Sequence, residues 1–267
     1  MKRLWKVLTA WFNPKPRPRS EPVPTPLRRR SLPNPVMTEK AAEKIAGDLI
    51  RLKYLDYVPE DEKTEVRKEL VNSIRHGHFA TGEIERETTT GQTYFVNRDR
   101  RTYRTDAEAL GDGSVASYLK YMQAALLLEN VRLENPEDRW GKIGVDSEHW
   151  KGKRYEVSVN GKAYLVYDTS NAQPDLDTWG LGHKRLVEIL NDLLGSANSK
   201  TRAYGVAHMG ETWVMFLTKE QYDHLSECPN IFQEGPFPVP AEKMSLAHRD
   251  YWPNGQPSGI VSENGNG

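Results

Sequence analysis

The 267-residue chain contains a single cysteine, Cys228, and no apolar run long enough to cross a membrane as a helix. One thiol cannot form an intramolecular disulfide and cannot build a cysteine-rich zinc site. No convincing cleavable signal is present, because the apolar part of the N-terminal segment is broken and its flank is rich in proline. These absences predict a reducing compartment, and we expect the protein in the cytoplasm.

Motifs that specify a reaction are also missing. The sequence has no Gly-x-Ser-x-Gly elbow, no Gly-x-x-x-x-Gly-Lys-Ser/Thr phosphate loop, no His-Glu-x-x-His and no dinucleotide fingerprint. It also has no specific nucleic-acid motif. We therefore expect no cofactor and no bound metal, and the sequence favours a protein that is not an enzyme.

Charge is balanced over the whole chain, with 37 basic and 37 acidic residues, but not along it. Residues 1–36 carry nine Lys or Arg and one Glu, a net charge of +8, which leaves −8 on residues 37–267. Eight of the 17 prolines lie between Asn13 and Val36 and favour an extended polyproline II arm. This arm is interpreted as a stiff solvated spacer or as a ligand for an aromatic groove or for phosphates. Its candidate binding residues are Arg28, Arg29 and Arg30.

The first twelve residues form a short amphipathic segment. Leu4, Leu8 and Trp11 share one face of a helix, and Lys2, Arg3 and Lys6 are basic. This composition suits an anionic membrane surface. Peripheral attachment to a membrane through residues 1–36 is one hypothesis, and a frayed chain end is the other.

Residues 37–134 are predicted to form an N-terminal α+β lobe. Apolar periodicity and turn residues predict two helices, the second of which ends at Gly77, then a strand pair, then a third helix. These elements cover Thr38–Tyr57, Pro59–His76, Phe79–Thr88 with Thr93–Asn97, and Val115–Glu129. Gly111–Ser114 open the third helix, either as an anion site or, more simply, with Ser114 as an N-cap.

Residues 153–227 are predicted to form a C-terminal lobe with the order ββαββα. Asn160-Gly161 joins two strands, and the apolar run of the second predicts that it lies centrally in its sheet. A helix should end at Gly195, and a second hairpin and a capping box should follow. The elements are Arg154–Val159, Ala163–Tyr167, Leu181–Leu194, Arg202–His208, Thr212–Leu217 and a helix from Thr218. The fold class is thus α+β with two small lobes, a polar connector at Glu134–Lys153 and an irregular tail at 228–267.

The best catalytic constellation lies in the C-terminal lobe. Asp168 ends a strand, Asp177 lies in the following loop, His183 opens a helix and His208 ends another strand. Imidazole titrates near neutrality, so a His–Asp pair could act as a general acid or base. Ordinary turn and cap roles explain the same residues, and no nucleophile accompanies them.

Two histidines and three glutamates form a second cluster, which resembles a metal site on paper. They are His76, His78, Glu83, Glu85 and Glu87. Imidazoles and carboxylates are suitable metal ligands, but a solvated strand face explains the glutamates more simply.

Aromatic residues provide the candidate binding positions of the folded body. Trp179 and Trp213 flank predicted elements of the C-terminal lobe, where exposed aromatics anchor interfaces. The leading hypothesis is a non-enzymatic binding protein for a protein partner, either an adaptor or a toxin-neutralising inhibitor of the immunity type. The alternatives are a small hydrolase using the Asp/His site and a peripheral membrane protein.

Overall fold

The computed structural model describes residues 35–77, 81–87, 93–142, 153–168, 178–208, 211–228 and 238–244. The basic arm up to residue 34, Asp177, and the tail beyond residue 244 lie outside these ranges. Within them, no helix is long and apolar enough to span a bilayer.

The described residues form seven α-helices and eight strands, which confirms the α+β class. The helices are α1 Glu39–Arg51, α2 Lys63–Arg75, α3 Ala107–Gly111, α4 Val115–Tyr121, α5 Gln123–Leu128, α6 Thr178–Ser196 and α7 Lys219–Ser226. The strands are β1 Glu83–Glu87, β2 Thr93–Asn97, β3 Thr102–Thr105, β4 Glu137–Lys142, β5 Lys153–Val159, β6 Lys162–Asp168, β7 Thr201–His208 and β8 Glu211–Thr218. Short 3₁₀ helices cover Tyr54–Tyr57 and Ala241–Lys243.

A three-stranded antiparallel sheet, in the order β3-β8-β7, has apolar residues on both faces. Tyr204, Val206, Met215 and Leu217 pack with the buried residues of α1, α2 and α7. The alternate residues Ala203, Val214 and Phe216 join a different hydrophobic cluster, which contains buried residues of α4, α5, α6, β5 and β6. Because successive strand residues point to opposite faces, the alternation places helices on both sides of this sheet.

The N-terminal end of α7 also links the sheet to the end of α1. Thr218 and Gln221 form the predicted capping box, with each side chain bonded to the backbone N–H of the other residue. The Gln221 amide then donates to the carbonyl of Leu52, which follows α1, over 2.8 Å. The oxygen and the nitrogen of the fully buried Gln221 side chain therefore both have hydrogen-bond partners.

Buried Arg101 joins three separate parts of the chain. Its guanidinium donates to the carbonyl oxygens of Tyr54 at 2.6 Å, Lys53 at 3.1 Å and Phe216 at 3.2 Å. It also lies 3.7 Å from the centre of the Tyr57 ring. The planar guanidinium can satisfy several backbone acceptors at once, so it links the 3₁₀ turn to β8.

The second sheet has the order β4-β5-β6. The predicted hairpin is confirmed: β5 pairs with β6, and Asn160 and Gly161 have φ of 51° and 74°, as a type I′ turn requires. The predicted central position of β6 is wrong, because β4 pairs with the other side of β5. The side chain of Leu165 on β6 is accordingly 39% exposed.

Several predicted boundaries also need correction. The first helix stops at Arg51, and Lys53, with φ of 65°, separates it from the 3₁₀ turn. The third predicted helix is broken at Met122 into α4 and α5. Gly195 lies inside α6, and the left-handed residue that follows the helix is Asn198, with φ of 55°.

Strand pairing crosses the predicted division of the chain. β3, from the range 37–134, pairs with β8, from the range 153–227. β4, inside the predicted connector, pairs with β5. Residues from both predicted lobes therefore share one sheet and one hydrophobic cluster.

Candidate binding surface

Two tryptophans, Trp140 on β4 and Trp179 at the start of α6, are unusually exposed for their size. Their side chains are 44% and 43% exposed. A large aromatic side chain at the surface provides much apolar area and loses little conformational entropy on binding. These two residues are the starting point for the site.

Strand register holds Trp140 in place. Trp140 lies opposite Tyr155 in the β4–β5 ladder, so their side chains share a face. The rings stack with centroids 4.7 Å apart and an interplanar angle of 15°. Tyr167 meets Trp140 edge to face at 6.2 Å and Tyr155 at 5.6 Å. One face of the indole is thus packed on buried rings.

The turn between α3 and α4 contacts both indoles. A Cβ atom added to Gly113 would lie 2.8 Å from the Trp140 ring, and one added to Gly111 would lie 2.7 Å from Cδ1 of Trp179. Gly113 also has φ of 103°, where side chains are strained. We call Trp140, Trp179 and residues 111–113, which contact both indoles, the aromatic surface.

Hydrogen bonds from the second sheet fix this turn. The Tyr167 hydroxyl donates to the carbonyl of Gly111 over 2.6 Å. The first N–H groups of α4, from Val115 and Ala116, donate to the Tyr155 hydroxyl at 3.1 Å and to Asp138 Oδ1 at 3.0 Å. Ser114 makes no side-chain cap bond. Ser114 occupies the predicted N-cap position, but the bonds that cap α4 are accepted by Asp138 and Tyr155 of the neighbouring sheet.

Asp138 and Tyr155 are themselves a tight pair. The Tyr155 hydroxyl donates to Asp138 Oδ1 over 2.5 Å. Burial raises the pKa of Tyr155 well above its ordinary value, and the bond to Asp138 adds to that rise. Burial also raises the pKa of Asp138, although its hydrogen bonds oppose the effect. Both groups are used in supporting the turn beneath the aromatic surface.

Charge at the surface comes from Asp112, which lies between the two glycines and is exposed. The opposite face of the second sheet carries its own compensated charges. There Arg154 pairs with Glu156 at 2.5 Å and with Asp168 at 3.5 Å, and Arg139 pairs with Glu137 at 2.9 Å. Asp168, a catalytic candidate, therefore lies on this outer face in an ion pair.

His183, another catalytic candidate, is completely buried. Its Nε2 lies 3.0 Å from the carbonyl oxygen of Trp213 in β8. A carbonyl only accepts, so Nε2 carries the hydrogen. A Cβ atom on Gly205 would lie 3.4 Å from Cε1 of His183 and 2.6 Å from the Met244 methyl group, which shows how closely β7 and residues 238–244 enclose the ring.

The remaining predicted site residues lie apart from one another or outside the described part. Trp213 is half-buried and packs against the cluster that contains α1 and α2. His208 ends β7, but its side chain lies outside the described part, as do Asp177 and Arg28–Arg30. Asp168 on the outer sheet face and His183 beneath β8 are not brought together in one cleft.

Within the predicted metal cluster, His76 is the residue whose side chain the structure describes. Nδ1 of His76 lies 2.7 Å from the carbonyl of Asn72 in its own helix. His78 and the side chains of Glu83, Glu85 and Glu87 lie outside the described part. Among the residues that are described, no group of three or more His, Cys, Asp or Glu side chains is placed to hold a metal ion.

Sequence reasoning named Trp179 but missed Trp140 and the turn at residues 111–113 as parts of one surface. The glycine spacing at Gly111 and Gly113 was a usable signal, because glycine often marks a close approach of the backbone to another group. Searches of protein-family models, curated proteins and solved structures found no match to this chain.

Proposed function

We propose that the chain is a non-catalytic binding protein that recognises a protein partner through the aromatic surface. The observation that carries the proposal is the pair of exposed indoles, Trp140 and Trp179, on either side of one turn. Interface energy concentrates in a few residues, and tryptophan is the most enriched among them.

Rigidity of the surface supports the same proposal. Trp140 is stacked on Tyr155, and the turn is bonded to Tyr167 and Asp138. Side chains that are ordered before binding lose less entropy when the partner arrives. An adaptor and a toxin-neutralising inhibitor of the immunity type would both use a preformed surface of this kind.

The environments of the catalytic candidates favour binding over hydrolysis. His183 has no exposed surface, and its Nε2 is bonded to a backbone carbonyl. A general acid or base must come within hydrogen-bond reach of the substrate proton. A fully enclosed imidazole is better suited to linking α6 to β8.

The test uses the full chain as bait in its native cell, with captured proteins quantified by mass spectrometry. Trp140→Ala, Trp179→Ala and the double variant are compared with Leu165→Ala, which removes an exposed apolar side chain from the outer sheet face. We expect the double variant to lower partner recovery at least about tenfold, as for hot-spot residues. Leu165→Ala should retain the partner.

Circular dichroism establishes that each variant is folded before the comparison is made. Undiminished recovery by the folded double variant would contradict the proposal. If Leu165→Ala loses the partner while the tryptophan variants retain it, the interface lies on the outer sheet face. That result would also contradict the proposal.

A further inference from the structure

The aromatic surface combines apolar rings with one carboxylate, and this combination defines the chemistry of its ligand. We propose that it receives an arginine side chain of the partner protein, with the guanidinium stacked on the outer face of Trp140 and paired with Asp112. This inference rests on the proposed function and names the group that the surface recognises.

The indole of Trp140 provides the stacking surface. Its stack on Tyr155 is nearly parallel, with an interplanar angle of 15°, so Tyr155 covers only one ring face. The side chain remains 44% exposed. Tryptophan offers the strongest ring for cation–π attraction, and a guanidinium stacks on it more readily than an ammonium.

Asp112 provides the counter-charge. Asp112 lies between Gly111 and Gly113, which face Trp179 and Trp140 respectively. No salt bridge involves Asp112 among the residues that the structure describes, whereas Arg139 and Arg154 of the second sheet are already paired on its outer face. Burial is the main cause that raises the pKa of Tyr167, and the negative charge of Asp112 is the second cause. The electric field of Asp112 therefore reaches the tyrosine ring that contacts Trp140.

The part of the chain that follows the basic arm is acidic. Residues 37–267 carry a net charge of −8, counted from the full sequence. A body with this charge attracts basic partners and disfavours acidic ones. Charge complementarity therefore selects a cationic side chain over a neutral apolar one as the group that stacks on Trp140.

The experiment titrates the full chain with two synthetic peptides and follows tryptophan fluorescence. One peptide has three arginines separated by Gly-Ser, and the other has citrulline, which is neutral and isosteric, at the same positions. We expect saturable quenching by the arginine peptide and at least about tenfold weaker binding of the citrulline peptide. Affinity for the arginine peptide should fall when NaCl rises from about 50 mM to about 300 mM.

Matched variants locate the binding. Trp140→Ala should abolish the saturable response, and Asp112→Asn should weaken binding of the arginine peptide about five- to tenfold. Asp61→Asn, at an exposed position in the turn before α2, removes the same charge elsewhere and should leave the affinity unchanged. Equal binding of both peptides, or equal effects of the two aspartate substitutions, would overturn the inference.

The outcome separates this inference from the proposed function. If the captured partner depends on Trp140 and Trp179 while the arginine peptide fails to bind, the surface is a protein interface that does not select arginine, and the inference is wrong. Stronger binding of a lysine peptide than of the arginine peptide would also overturn it, because stacking of a planar guanidinium predicts the opposite order.

Discussion

Nε2 of His183, in α6, donates a hydrogen bond to the carbonyl oxygen of Trp213, in the central strand β8, over 3.0 Å. The ring is fully buried, and it lies beside Gly205 of β7. The imidazole therefore joins the longest helix to the sheet through a side chain that water does not reach.

Replacement of this imidazole should cost stability and leave recognition intact. His183→Ala removes a packed ring and leaves a buried carbonyl without its donor, so we expect a loss of about 2–4 kcal/mol in the free energy of unfolding. His183→Gln, which keeps a donor, should lose less. Urea denaturation measures both, with His76→Ala, at the C-cap of α2, as the control. A folded His183→Ala protein that no longer captures its partner would show a direct role in binding.

The turn at Asn160-Gly161 should be sensitive to backbone conformation alone. Gly161 has φ of 74°, and no atom lies within 4 Å of an added Cβ. Gly161→Val should therefore destabilise the protein by about 1–3 kcal/mol through strain. Gly47→Ala, in equally open space inside α1, should stabilise it by about 0.5–1 kcal/mol. Thermal melting distinguishes the two, and an unchanged melting temperature for Gly161→Val would contradict the turn assignment.

Glu129 should give the fold a defined acid sensitivity. Its carboxylate accepts bonds from Tyr57 at 2.5 Å, Ser199 at 2.6 Å and Thr201 at 2.9 Å. Burial disfavours the charged form, but these bonds outweigh it and hold the pKa of Glu129 below its ordinary value. A lowered folded pKa contributes stability above the unfolded pKa, about 4.3, and that stability is lost as the pH falls through the folded pKa.

Glu129→Gln tests this linkage. At pH 7 we expect a loss of about 1–3 kcal/mol, because charged hydrogen bonds are removed. The difference from the unsubstituted protein should stay constant down to about pH 5 and shrink below about pH 4. Glu60→Gln, at an exposed position in the turn before α2, is the control and should change stability by less than about 0.5 kcal/mol. A difference that does not vary with pH would show that Glu129 acts through packing.

Buried phenols should make the fold sensitive to alkali. Burial is the first cause that raises the pKa of Tyr54, Tyr57, Tyr155 and Tyr167, and it raises the pKa of Tyr204 to about 12. A raised folded pKa contributes stability that is fully present below the unfolded pKa, about 10, and is lost as the pH rises through the folded pKa.

Phenolate absorbance during an alkaline titration measures this effect. In native protein these five tyrosines should ionise only as circular dichroism reports unfolding, whereas all twelve tyrosines should titrate near pH 10 in denaturant. Ionisation of every tyrosine near pH 10 with the fold intact would contradict the burial of these five side chains.

Elements with strong local signals were predictable from the sequence. Asn160-Gly161 demands a particular turn, Thr218 and Gln221 bond to each other's backbone, and the leucines of α6 recur on one face. In each case the residues that determine the element are near neighbours in the chain. Local conformation and hydrophobic periodicity are therefore sufficient to predict them.

Elements that depend on distant partners were not predictable. β4 reads Glu-Asp-Arg-Trp-Gly-Lys, a polar sequence that becomes a strand by pairing with β5. β3 has four residues and pairs with β8, more than 100 positions away. Trp140 was missed as part of the site for the same reason, since its position relative to Gly113 and Trp179 follows from the pairing of β4. Strand propensity depends strongly on such tertiary context.

The packing of α1 and α2 against β7, β8 and α7 also has a consequence for synthesis on the ribosome. The apolar faces of α1 and α2 pack with Tyr204, Val206, Met215, Leu217 and Leu225, all of which are translated more than 100 residues later. Until those residues emerge, the nascent helices have no sheet on which to bury leucine and isoleucine side chains. Long-range contacts of this kind slow folding and leave apolar surface open to aggregation. We therefore expect α1 and α2 to expose apolar surface on the nascent chain until β7 and β8 have been translated.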